Sequence, residues 1–251
     1  MELGAYLVPG AWDSDFQSSA LRVTRHASRN MSETILITGA SGLLGRALVA
    51  KFSQAGFRVL AQYHTHPSPD SEAVQWLAGD FSNPRRIQVF LNRHEKKLKE
   101  CQYLINNFGP IIQRPTMEVT GRDLCIDFEL QVAPALDISR FLILQGRLRS
   151  VLNIGFEYSG EVRAYKKILG YALGKNALLL LTRSLAAAFP LVCCNLFSPP
   201  SLKGAAVLPK GASPVAPRLV AERIFRIMKQ RRSGIHFRYS PPRILSTGHE
   251  N

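Results

Sequence analysis

Apolar and polar positions along this chain alternate between two rhythms. Compact runs rich in Ile, Val, Leu and Phe read as strands: Ile35 to Thr38, Phe57 to Tyr63, Val74 to Ala78, Gln102 to Asn106, Ser150 to Ile154, Leu191 to Phe197 and Ile235 to Tyr239. Between them, apolar residues at three- and four-residue intervals predict helices over Leu43 to Gln54, Asn83 to about Lys99, Ile168 to Phe189 and Val220 to Arg231. A further helical stretch, about Glu118 to Gln145, contains Pro134, whose missing N–H predicts an interruption there. Gly56 suits the end of the first helix, and Pro67 and Pro69 mark a loop. Strands alternating with helices imply a parallel sheet covered on both faces. The expected fold class is α/β: a Rossmann-like, doubly wound parallel sheet in three αβα layers, forming a single domain over residues 31–251.

Residues 1–30 break this rhythm, with scattered Gly, Pro, Ser and Asp and no persistent period. They lack the basic start and apolar block of a secretory signal. The expectation is a disordered arm or a non-native extension, with Met31 as the natural start. No apolar stretch suits a bilayer span, since Lys175, Asn176 and Arg183 interrupt Ala172 to Val192, the nearest approach. Cys101, Cys125, Cys193 and Cys194 show no Cys-x-x-Cys spacing and read as buried free thiols of a reducing compartment, the cytoplasm. Net charge is +14, and residues 201–251 alone carry an excess of eight. That surface suits an anionic substrate or a solvated basic face. No nucleic-acid module accompanies it, so a nucleic-acid partner ranks last.

The chemistry gathers at strand ends. The first strand runs into Thr38-Gly39-Ala40-Ser41-Gly42-Leu43-Leu44-Gly45-Arg46, three glycines spaced by three before a helix. Free N–H groups and the positive end of the helix dipole then face the turn, which suits a pyrophosphate. Later strands end in Tyr63-His64-Thr65-His66, Asp80-Phe81, Asn106-Asn107-Phe108-Gly109 and Asn153-Ile154-Gly155, where doubly wound sheets bind ligands. In the long helix, Tyr171 and Lys175 are four apart and share a face. A neighbouring ammonium favours phenolate, so this Tyr is expected to have a lowered pKa and to exchange a proton with a carbonyl oxygen.

In order and separation, Thr38-Gly-x-x-Gly-x-x-Gly45, Asp80, Asn106-Asn-x-Gly109, Asn153 and Tyr171-x-x-x-Lys175 resemble the short-chain dehydrogenase/reductase family, over roughly Thr34 to Tyr239. The resemblance implies an NAD(P)H-dependent oxidoreductase. Gly39, Ser41, Gly42, Leu44, Gly45 and Arg46 would hold the cofactor phosphates, Asp80 and Phe81 the adenine end, and Asn107, Phe108 and Gly109 the side of the cofactor. Tyr171 would be the general acid, with Lys175 on the nicotinamide ribose. Tyr63-His64-Thr65, Arg46 and Ala133-Pro134 are similar to the pteridine reductases, which points to a carbonyl or C=N substrate of pterin type. No acid lies between Phe57 and Pro69 to bind ribose hydroxyls, while His64, Thr65 and Arg46 tolerate a 2′-phosphate, so NADPH is preferred to NADH. His64 and His66 lack a third ligand, and no metal site is expected.

Departures from the family pattern point the other way. The Gly42 spacing is that of extended nucleotide-sugar reductases and epimerases, yet only 76 residues follow Lys175. The usual serine position falls on Tyr158, leaving Ser159 or Glu157 as substitutes, and the usual Asn falls nearest Leu130, with Glu129 and Gln131 beside it. An NAD(P)-binding regulatory protein without catalysis is the alternative. Family members assemble as homodimers or homotetramers through the long helices, which sets the expected partner as a second copy. The Pro- and Gly-rich stretch Ser201 to Pro217 stands where a substrate-covering loop belongs.

Overall fold

The computed structural model describes residues 32–206, 208 and 211–239; the arm expected over residues 1–30 lies outside them. Seven strands form one sheet in the order β3-β2-β1-β4-β5-β6-β7. They are β1 (Thr34–Ile37), β2 (Arg58–Tyr63), β3 (Val74–Ala78), β4 (Tyr103–Asn106), β5 (Ser150–Ile154), β6 (Cys193–Ser198) and β7 (His236–Arg238). Every pairing is parallel, with Ile35 opposite Val59 on one side of β1 and Tyr103 on the other. The order reverses between β1 and β4, so the crevice at their carboxyl ends is the topological switch point.

Alternation along the strands builds the layers. Ile35 and Ile37 face α1 (Leu43–Gln54) and α5 (Pro217–Met228), in a core with Leu48, Phe52, Val59, Leu152, Val220 and Ile224. Leu36 faces the other way, into a core with Leu60, Phe90, Ile138, Val151 and Leu185 from α2 (Pro84–Leu98), α3 (Gly121–Leu144) and α4 (Leu169–Ala188). The period of two thus commits each strand to both helical layers. Local signals start the helices: Asn83 caps α2 ahead of Pro84, and Thr120 and Asp123 form a capping box on α3. Only α1, among the sheet's first two helices, begins without a side-chain cap, at Gly42.

The α/β expectation holds, with three local corrections. Helix α3 runs unbroken through Pro134, because Asp127, Gln131, Ala135 and Ile138 pack along one face and outweigh the local cost of the ring. Leu191 is 72% exposed and precedes β6 rather than opening it. Cys101 and Cys194 are buried, but Cys125 on α3 is exposed and does not behave as a core thiol. The stretch after β6 is stitched at its base, where Leu202 bridges Val215 and the Lys203 amide donates to the Val215 carbonyl at 2.8 Å. Among the described residues, no helix is long and apolar enough to cross a membrane.

Candidate active site

The glycines after β1 do three different jobs. Gly39 has φ +60°, and a Cβ there would stand 3.0 Å from the Phe108 Cα. Gly42 is the extended cap residue of α1, and its N–H donates to the Gly39 carbonyl at 3.1 Å. A Cβ on Gly45 would lie 2.2 Å from the Gly39 oxygen and 2.7 Å from the Ala40 Cα. The turn therefore folds tightly onto the first helical turn, whose amides at Leu43, Leu44 and Gly45 have no acceptor within the helix. Arg46 turns its Nε back to the Ser41 carbonyl at 2.9 Å, and both border this cradle.

Polar side chains pin the turn in place. Asn107 donates through Nδ2 to the Thr38 and Gly39 carbonyls, at 3.1 and 3.0 Å. Thr38 Oγ1 accepts from the Asn107 and Phe108 amides, each at 3.0 Å. Gln62 accepts from the Gly39 N–H and donates to the Gly79 carbonyl, both at 2.7 Å, so the ends of β1, β2 and β3 are joined by one side chain. Gln62 was visible only as a polar residue inside an apolar strand. Beneath these, Asn106 donates to Asn153 at 2.8 Å, and Asn153 donates to Thr182 at 2.9 Å, which locks β4, β5 and α4 together.

At the β2–β3 end, Asp80 is already engaged. It accepts from the Ser82 amide at 2.8 Å, pairs with Arg86, and lies 3.7 Å from His64 Nε2. Burial opposes its ionisation, but the hydrogen bonds from Ser82 and Arg86 prevail and lower its pKa. Phe81 packs edge-on against Phe108 at 5.4 Å, forming an apolar floor beside the turn. Thr65 bonds His66 at 2.8 Å on the open rim.

Tyr171 and Lys175 come together at the ends of β4 and β5. Lys175 is 2% exposed and donates from Nζ to the Ile154 carbonyl at 2.9 Å, with Nζ 5.7 Å from the centre of the Tyr171 ring. Gly109 makes room for it: a Cβ there would meet Lys175 Nζ at 2.7 Å and Gln131 Oε1 at 2.4 Å. Burial drives the lysine down to about 7 and the tyrosine upward. The expected lowering of the phenol is thus reversed in direction, because removal from water outweighs the ammonium at this separation. Tyr171 also stacks edge-on against Phe156 at 5.6 Å, in a cluster with Tyr158, Tyr165 and Ile168.

The two substitutes for the serine point elsewhere. Ser159 is fully buried, and its Oγ accepts from the Phe156 amide at 2.9 Å, bracing its own loop. Glu157 accepts from Ser201 Oγ at 3.1 Å, tying the β5 loop to the stretch after β6. Gln131, which sequence separation placed beside the missing Asn, lies on the Lys175 side of α3, with Nε2 donating to the Pro110 carbonyl at 2.7 Å.

A parallel sheet whose switch point carries a glycine cradle, a polar clamp and a buried Tyr–Lys pair defines a nucleotide-binding α/β protein, and the uncapped N-terminal amides of α1, drawn up against the tight turn, fit a pyrophosphate. Residues 33–199 match the short chain dehydrogenase family, and the chain belongs to it. An uncharacterized oxidoreductase of Schizosaccharomyces pombe is 28% identical over 159 residues, covering 62% of this chain and 60% of the relative. The L-xylulose reductase of Mesocricetus auratus is 24% identical over 160 residues, covering 60% of this chain and 63% of the reductase. The chain thus spans about three-fifths of the length of these curated relatives. A short chain dehydrogenase from Leptospira borgpetersenii, solved with bound NAD+, superposes with a TM-score of 0.72 at 21% identity, covering 85% of this chain and 97% of that one. One from Bacillus anthracis gives 0.70 at 17% identity, covering 83% and 95%.

Proposed function

We propose that the protein is a nicotinamide-dependent reductase of a carbonyl or C=N bond, with NADPH as its cofactor and a pterin-like small molecule as the first substrate class to test. The observation that carries this reading is the Tyr171–Lys175 pair beside the Gly39–Gly45 cradle, where Lys175 is held by the Ile154 carbonyl. The cradle amides would hold the cofactor phosphates, and Lys175 the ribose beside the nicotinamide. Bound there, the cofactor supplies the hydride. Tyr171 supplies the proton from its hydroxyl to the substrate oxygen or nitrogen, and burial keeps that hydroxyl protonated until it is used. Phe156, Tyr158 and Tyr165 form an aromatic wall suited to a flat substrate. NADPH is favoured because β2 ends without an acid, while Arg46, His64 and Thr65 stand at its rim.

A second reading, a cofactor-binding regulatory protein, draws support from Ser159 and Glu157, both of which are spent on loop contacts. Assembly as a homodimer or homotetramer fits the outer faces of the long helices, where Leu173 and Leu180 of α4 and Ile126 of α3 are exposed. The cytoplasm is the proposed location, and neither nucleic acid nor membrane is a proposed partner.

Thermal-shift comparison of NADPH, NADH and no ligand, followed by consumption of NADPH with pterins, ketones and aldehydes, tests the reading. Stabilisation by NADPH above NADH together with turnover supports it. Stabilisation without turnover selects the regulatory reading, and no stabilisation by either cofactor rejects both.

A further inference from the structure

The loop between β5 and α4 ends in a short ladder that fixes Tyr165. The Arg114 amide donates to the Lys167 carbonyl at 2.8 Å, the Thr116 amide to the Lys166 carbonyl at 2.9 Å, and Thr116 Oγ1 to the Tyr165 carbonyl at 2.7 Å. With its backbone held from the β4 loop, Tyr165 turns its ring onto Phe156, 5.9 Å between centres, in the cluster that includes Tyr171. Its hydroxyl is buried yet has no hydrogen-bond partner, where a buried phenol ordinarily finds one. Burial raises its pKa despite the opposing Arg163, so the hydroxyl stays protonated and able to donate. Arg163 lays its guanidinium over the Tyr158 ring, 3.9 Å from the ring centre. Its carboxylate neighbour, Glu161, lies 3.8 Å away and is also paired with Arg238, so one acid is shared between two guanidinium groups. Glu157, the other acid of the loop, is turned to Ser201. Lys166 and Lys167 are exposed and add positive charge to the same rim.

We propose that Tyr165 and Arg163 form a specificity subsite for an oxyanion, so that the preferred substrate carries a carboxylate or phosphate arm beyond the bond that is reduced. The proposal rests on the reductase reading and deepens it. The two donors are of complementary kinds. The phenol gives one directed O–H, while the planar guanidinium offers parallel N–H groups to two oxygens. Both belong to the aromatic wall that reaches Tyr171 through Phe156, so the arm and the reacting bond can belong to one molecule. A neutral substrate would cover the same wall and leave the Tyr165 hydroxyl unpaired. That penalty falls on the neutral ligand alone and is what separates the two classes. The lysines of the rim draw an anion toward the loop before contact is made.

The test is the calorimetric affinity of the protein for matched probes with NADP+ present, the oxidised cofactor preventing reduction during the measurement. The probes are pterin, pterin-6-carboxylate and the phosphate ester of 6-(hydroxymethyl)pterin, with benzaldehyde beside 4-carboxybenzaldehyde as a second scaffold. The acids should bind about 10- to 100-fold more tightly than their neutral partners, the range of a hydrogen bond to a charged group. Added salt should erode that preference. Tyr165→Phe, which keeps the ring, and Arg163→Gln should each cut the acid-over-neutral ratio about tenfold. Arg163→Lys should restore part of it. The larger preference, for carboxylate or for phosphate, identifies the arm. Acids no tighter than neutral probes, or a preference that survives both substitutions, overturn the proposal. If Arg163→Gln fails to fold, Tyr165→Phe and the salt series decide. Preference for acids without reduction of any probe by NADPH would reject the reductase reading alone, and reduction without that preference would reject this inference alone.

Discussion

A Cβ on Gly45 would sit 2.2 Å from the Gly39 carbonyl oxygen, so the third glycine of the turn is defined by the first. The obstacle is backbone, with no side chain able to swing aside. Gly45→Ala should destabilise the fold by about 1–3 kcal/mol, the usual cost of overpacking, and abolish stabilisation by NADPH. Chemical denaturation with and without cofactor measures both. A variant that folds normally and still responds to NADPH would show that the cradle tolerates a wider turn.

Tyr171→Phe removes the hydroxyl and keeps the ring that packs on Phe156. Turnover should fall by about 10²–10⁴, the usual contribution of a positioned acid, with the NADPH thermal shift unchanged. Equal turnover in the two proteins would remove Tyr171 from the chemistry.

Lys175 makes stability depend on pH with a definite sign. Its pKa falls from 10.5 to about 7 on folding, so between those values the unfolded chain binds more protons and stability rises as pH increases. Above pH 10 the sign reverses through Tyr171, whose raised pKa keeps a proton in the folded state that the unfolded chain releases. Denaturation midpoints from pH 6.5 to 10 should therefore climb in the wild type relative to Lys175→Met. Parallel curves would mean that Lys175 is not the desolvated group described above.

Gly170 and Asp127 form a testable pair, since a Cβ on Gly170 would lie 2.1 Å from the Asp127 carboxylate. In the wild type Gly170→Ala should destabilise. In the Asp127→Ala background the carboxylate is gone and only the Cβ of residue 127, 2.8 Å from the added one, still crowds it, so the same change should cost less than in the wild type. A double-mutant cycle reads the coupling, and additivity of the two changes would contradict the close approach of α3 and α4.

Leu180, 70% exposed on α4, lies two turns beyond exposed Leu173 on the same helix. Leu180→Glu should shift sedimentation toward the monomer while leaving the thermal midpoint of the isolated subunit near its original value. An unchanged oligomer would place the contact between copies elsewhere.

The sheet and its glycine turn were legible because each rests on local periodicity: two along strands, three to four along helices, and a tight turn that tolerates only small residues. The same is true of Tyr171 and Lys175, whose spacing alone puts them on one helical face. Ser159 and Glu157 were not resolved that way. A loop's hydrogen bonds depend on where its ends are held, and here both side chains brace the backbone. Gln62 was hidden for a related reason: it joins segments distant in sequence, and nothing in its neighbours marks it. Pro134 misled in the opposite direction, since packing along α3 carries the helix through it.

The clamp from Asn107 to the Thr38 and Gly39 carbonyls spans 69 and 68 residues of chain. A site closed by such contacts cannot form on the first strand, helix and strand as they emerge from the ribosome. It must wait for β4 to dock beside β1, a late event because distant segments meet slowly. Until then the glycine turn is an unsupported bend with open amides. A nascent chain stalled before Asn107 should therefore gain nothing from cofactor, and the ligand can rescue folding only after the centre of the sheet has assembled.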